Sequence, residues 1–173
     1  MPLDHVLDVV SESDLTLREG VPVVEVHTLG LLHRASHVLV INAAGKICVH
    51  EKSKTRPIHP GLWTSSIWED VRSRESYEQT ARHALREYLG LDCALTLLGN
   101  AHVRDEYGNE LITVYTARAD RIPRRDLRFI TKETFLTTRE IRDLVRLRKT
   151  TPHLAKAIAL YMQTQITGGV ARG

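Results

Sequence analysis

The apolar residues fall into short runs broken by polar turns, and the spacing within each run predicts an element. His5 to Val10 alternates as a strand and is followed by a turn at Ser11-Glu12-Ser13-Asp14. Arg34 to Asn42 (RASHVLVIN) is rich in β-branched residues and predicts a buried strand; the turn Ala43-Ala44-Gly45-Lys46 then predicts a hairpin with Lys46 to Glu51. A basic loop spans Lys52 to Pro60. Pro60 to Leu91 reads as loop, short strand, loop and helix. Tyr77, Thr80, Ala81, Ala84, Leu85 and Tyr88 share one stripe of that helix, Ser76 is its N-cap and Gly90 its end. Leu95 to Val103 and Leu111 to Ala119 predict strands joined by a turn at Asp105 to Asn109, and Thr131 to Leu136 a further strand. Thr137 with Glu140 forms a capping box for a second helix, and Pro152 opens a third that runs to about Gln165. Strands and hairpins mixed with helices imply one α/β (α+β) domain, a mixed sheet with helices on its faces, over residues 1–167, with residues 168–173 (GGVARG) as a disordered tail.

Composition narrows the class. A chain of 173 residues with 42% hydrophobic and 26% charged residues suits one globular domain with a sizeable core. No apolar run approaches the ~20 residues that span a bilayer, and the N-terminus has no basic region or cleavage site, so a cytoplasmic protein without a membrane partner is expected. The formal charge of +3 is too mild to imply nucleic acid, and the arginine-rich stretch Arg118–Arg128 reads as a solvated loop. Cys48 and Cys93 lie in apolar contexts and read as buried free thiols.

The segment Glu69 to Leu91 resembles the signature of the Nudix superfamily, in which a glycine, a Glu, an Arg-Glu pair and a Glu-Glu pair are set along a loop and helix that close on Gly-aliphatic. Glu75, Leu85, Glu87, Gly90 and Leu91 match; Glu69, His83, Ala84 and Tyr88 replace the opening Gly, the Arg and two of the acids. The signature works because carboxylates one helical turn apart hold Mg²⁺, which offsets diphosphate charge and activates water. Ala84 and Tyr88 cannot do so. From about His27 to Arg118 the chain also resembles type I isopentenyl diphosphate isomerases and nearby bacterial Nudix hydrolases, through His33-Arg34-Ala35 and VHEKSKTRPIHPGLWTSS (Val49 to Ser66); TPHLAKAIALYM (Thr151 to Met162) resembles the closing helix of those hydrolases.

This resemblance implies a Nudix-type α/β/α sandwich and a set of site residues. Trp68 stands where the isomerases carry a catalytic cysteine, and Asp70 where they carry a metal-binding histidine. His27 and His33 match two metal-ligating histidines, Glu110 the second acid of a Glu-x-Glu pair, and Lys52 and Arg56 the basic residues that hold diphosphate. The expected metal ligands are therefore His27, His33, Asp70, Glu87 and Glu110. The expected catalytic acids are Glu87, Glu110 and Glu75, with Glu75 also able to brace its loop, and the expected substrate contacts are Lys52, Arg56 and Trp68. Asp105 and Glu106 are further loop acids. The cofactor is a divalent metal, Mg²⁺ or Mn²⁺, or none; the partner is a small-molecule diphosphate, nucleotide or prenyl, with a homodimer as an option. Three readings follow: a divergent Nudix hydrolase, an isomerase-like enzyme acting on a prenyl diphosphate, and a catalytically silent Nudix fold for binding or interaction. Standard Mg²⁺-dependent turnover of common nucleoside diphosphate derivatives is not expected.

Overall fold

The computed structural model describes residues 5–122 and 130–170, with side chains over 5–122 and 132–166. Most of the arginine-rich stretch, residues 123–129, and the last residues of the tail, 171–173, lie outside the described residues. The elements are β1 (Val6–Val10), β2 (Thr16–Pro22), α1 (Val23–Thr28), β3 (His33–Ile41), β4 (Ile47–Lys52), β5 (Trp63–Thr64), β6 (Ile67–Asp70), α2 (Tyr77–Ala84), β7 (Thr96–Arg104), β8 (Asn109–Arg118), β9 (Ile130–Leu136), α3 (Thr138–Arg146) and α4 (Pro152–Val170). No helix among the described residues is long and apolar enough to cross a membrane.

β3 is the spine of a mixed sheet. It runs parallel to β8 from His33↔Glu110 to Ile41↔Arg118 and antiparallel to β6 from Ala35↔Asp70 to Val38↔Ile67. Apart from half-buried Arg34 it is buried along its length, because both of its faces are covered. Ala35, Leu39 and Ile41 point to one face, where Leu154, Ala157 and Ile158 of α4 and Ile141 of α3 pack. Val38 and Val40 point to the other, against Ala81, Ala84, Leu85 and Leu89. Since side chains alternate along a strand, His33 and His37 share the α4 face with Ala35. The neighbours paired with them, Glu110, Asp70 and Trp68, lie on that face too, whereas Glu69, paired with Ser36, lies on the α2 face.

The predicted hairpin of β3 and β4 exists only at its mouth. The strands pair at Ile41↔Ile47, and β4 then turns away to pair with β5 and with β9 from Ile47↔Leu136 onward. β6 occupies the edge of β3 that β4 would need. Ser66 fills the fork, accepting from the Val40 amide (2.7 Å) and donating to the Cys48 carbonyl (2.6 Å), which satisfies backbone groups the split would orphan.

The helix ends follow the sequence reading closely. Ser76 and Gln79 form a reciprocal capping box at α2, and Thr137 and Glu140 do the same at α3. α2 passes into a π-helical turn, Leu85–Leu89, and Gly90 closes it at φ 66°, a left-handed conformation that glycine adopts without steric cost. α4 continues to Val170, past the expected end near Gln165 and into the stretch expected as tail. Cys48 is fully buried and Cys93 partly so; both are free thiols.

Candidate functional site

On the α2 face the acids do not converge on an open site. Glu69 is buried, and its carboxylate accepts from His83 Nδ1 at 3.0 Å and from the Tyr88 hydroxyl at 3.5 Å, with Arg72 at 3.7 Å. These groups compensate the buried carboxylate. Ala84 belongs to the core. Glu87 is exposed beside Arg82, His83 and Arg86 on a shallow surface, and Glu75 is exposed and accepts a hydrogen bond from Thr80 Oγ1 at 2.9 Å. The structure does not bring Glu87 or Glu75 to the other expected ligands.

The opposite face holds a cavity of about 350 Å³. It opens between α1, the Lys52–Pro60 loop, the β7–β8 turn and the start of α4; no residue of α2 lines it, so the expected cleft against the Ser76–Tyr88 helix is displaced to the other side of the sheet. The pleat explains the shift, because Trp68, Asp70 and Glu110 point away from α2.

Within the cavity the metal-ligand candidates come together from three elements. His27 on α1, His33 at the start of β3 and Asp70 at the end of β6 place one ligand atom each within 4.8 Å of one another. His27 Nε2 lies 3.3 Å from Asp70 Oδ2, and His33 Nε2 lies 3.6 Å from Asp70 Oδ1. Both nitrogens are buried and meet the Asp70 carboxylate outside good hydrogen-bond geometry. His33 Nδ1 donates to the Leu31 carbonyl at 3.0 Å, which fixes the ring and aims Nε2 at the cluster. Two imidazoles and a carboxylate with unsatisfied nitrogens fit a divalent transition metal better than a purely oxygen-seeking ion. Burial opposes charge at Asp70, but His27 and His33 hold its carboxyl well below the usual range; burial likewise opposes protonation of His33, yet Asp70 and Glu110 raise it to about 9. A proton and a metal ion are thus alternatives for the same nitrogen.

Glu110 sits beside this cluster but is engaged elsewhere. Its Oε2 is 3.2 Å from His153 Nε2. Burial favours its neutral form, while His153 holds the carboxyl below its ordinary value. His153 stacks on His37 at 5.2 Å and meets His59 edge-on at 5.8 Å, and His59 Nε2 donates to Asp105 Oδ2 at 2.7 Å. Burial, with His153 beside it, pushes the His37 imidazole down to about 3, so the ring is neutral.

Lys52 and Arg56 line the same cavity, as does Trp68. The Lys52 ammonium lies 5.1 Å from the Trp68 ring centroid, a cation–π contact. Burial and nearby Arg56 lower Lys52 to about 8, against the pull of Glu110 and Asp105. The sequence reading did not name His37, His59 or His153 as site residues. His37 carried a readable signal, four residues after His33 and so on the same strand face; His153 and His59 come from elements whose approach is set by tertiary packing alone.

No family model matches the chain. It is 28% identical over 154 residues to an uncharacterized Nudix hydrolase of Pseudomonas aeruginosa, covering 88% of this chain and 90% of the relative. It is 26% identical over 152 residues to isopentenyl-diphosphate Delta-isomerase 2 of Photorhabdus laumondii, covering 83% of each. Among solved structures it resembles a Deinococcus radiodurans protein (TM-score 0.68, 19% identity, 88% of this chain and 96% of that one). It also resembles a MutT Nudix hydrolase of Burkholderia pseudomallei (TM-score 0.60, 17% identity, 75% and 97%). Over most of its length the chain is thus similar to a Nudix hydrolase and to an isopentenyl-diphosphate isomerase, and its fold is that of the Nudix structures.

Proposed function

We propose that this protein is a divalent-metal-dependent hydrolase of a small-molecule diphosphate, working in the cavity on the α4 face rather than at the Nudix helix. The observation that carries this reading is the convergence of two buried imidazole nitrogens, His27 Nε2 and His33 Nε2, on the Asp70 carboxylate without well-formed hydrogen bonds. His27, His33 and Asp70 would hold Mn²⁺ or a similar ion, with Glu110 next to them across the β3–β8 pairing. Such an ion, when bound, offsets phosphate charge and makes water more acidic.

The chain's own groups supply the rest. Lys52 and Arg56 present cationic donors to phosphate oxygens on the cavity wall. Trp68, Pro57 and Ile58 give an apolar surface for the organic part of a substrate and limit water there. Glu110, paired with His153, is a carboxylate placed to accept a proton. Trp68 has no group able to give or take a proton at carbon, which disfavours the isomerase reading.

The test is phosphate release, followed by ³¹P NMR, from nucleoside and prenyl diphosphates in Mn²⁺. Cleavage by the wild type that is lost in Asp70→Asn and kept in Glu87→Gln supports the reading. Cleavage that needs Glu87 but not Asp70 contradicts it, and the absence of all cleavage with tight diphosphate binding favours a silent binding protein. Isopentenyl diphosphate incubated in D₂O is expected to take up no deuterium.

A further inference from the structure

The same cavity carries another donor cluster beside His33 and Asp70. His37 is 1% exposed, and its Nδ1 is hydrogen-bonded to Ser65 Oγ at 3.0 Å. Its remaining nitrogen, Nε2, is buried and has no hydrogen-bond partner among the described residues. His153, in the first turn of α4, lies nearly parallel to the His37 ring, with 7° between the planes, and its Nε2 approaches Glu110 Oε2 at 3.2 Å. One ligand atom from each of His37, Glu110 and His153 falls within 4.8 Å of the others.

We propose that His37, Glu110 and His153 form a second transition-metal site, so that the cavity takes two ions. Three observations support it. The donors are two imidazoles and one carboxylate, a set that suits Zn²⁺, Mn²⁺, Fe²⁺ or Co²⁺ and leaves positions open for water or a substrate oxygen. The three side chains come from β3, β8 and α4, elements held by the central strand pairing and by the core beneath α4, so the donors are fixed before any ion arrives. A desolvated imidazole nitrogen with no partner is an unusual thing for a packed interior to keep, and an ion between His37 and Glu110 satisfies it. The site shares no ligand with His27, His33 and Asp70. With a second ion bound, Glu110 would serve as its ligand instead of as a free proton acceptor, and the ion would add positive charge for a diphosphate. That use of the second ion rests on the hydrolase reading above; its binding does not.

Titration of metal-free full-length protein with Co²⁺, read by visible absorption and by elemental analysis after dialysis, tests the proposal. Two equivalents are expected for the wild type. His37→Asn and, independently, His153→Ala should each bind one equivalent while retaining wild-type circular dichroism, and Asp70→Asn should bind one equivalent with the absorption of the remaining site. A wild type that binds a single equivalent lost in Asp70→Asn, or variants at both His37 and His153 that still bind two, overturns the second site and leaves the hydrolase reading intact. A single equivalent lost in His37→Asn but kept in Asp70→Asn establishes the second site and removes the metal centre on which the hydrolase reading stands.

Discussion

Glu69 and Asp70 are adjacent in sequence and face opposite sides of the sheet, and that pleat decides which acids can act together. Glu69 is held by His83, Tyr88 and Arg72; Asp70 faces the imidazole nitrogens of His27 and His33. Lys52 makes a pH prediction from the same cavity. Its folded value of about 8 lies below that of a free lysine, so the ammonium is present below that pH and lost above it. Diphosphate affinity should therefore fall as pH rises through about 8, and calorimetric titrations at several pH values should show Lys52→Arg largely removing the fall, because a guanidinium stays charged. Lys52→Ala should weaken binding about tenfold or more, the scale of a lost charge-assisted hydrogen bond of about 1.5–3 kcal/mol. An unchanged affinity in Lys52→Ala would take Lys52 out of the substrate site.

At the scale of elements, much was legible because each signal is local. The capping boxes at Ser76 and Thr137, the Gly90 stop and the β-branched run of β3 all act within a few residues. Ser76→Ala should cost about 1 kcal/mol and Leu39→Ala about 2–5 kcal/mol in denaturant unfolding, the first by losing a cap and the second by opening a cavity between β3 and α4. β2, α1 and the β3–β4 fork were not legible. α1 (VVEVHT) is short and β-branched, so its sequence favours a strand, and packing of Val23 and Val26 against Leu7 and Val21 of β1 and β2 overrides that preference. The fork between β3 and β4 depends on β6, more than twenty residues later in the chain, and on Ser66. The candidate site divides the same way: His27, His33, Asp70 and Glu110 were readable from the resemblance, whereas His59 and His153 reach the cavity only through the loop and the α4 packing.

The whole molecule keeps a Nudix scaffold with its chemistry apportioned to the two faces of one sheet. On the α2 face Ala84 is core, Tyr88 and His83 engage Glu69, and Glu87 is solvent-exposed. The α4 face gathers histidines, carboxylates and Lys52 around one cavity. The claim that metal and diphosphate belong to the second face is tested most directly by a crystal soaked with Mn²⁺ and a non-hydrolysable diphosphate, read by anomalous scattering. The account predicts a peak among His27, His33 and Asp70 with the diphosphate reaching Lys52. A peak beside Glu87 and Glu75, with the cavity free of metal, would contradict it.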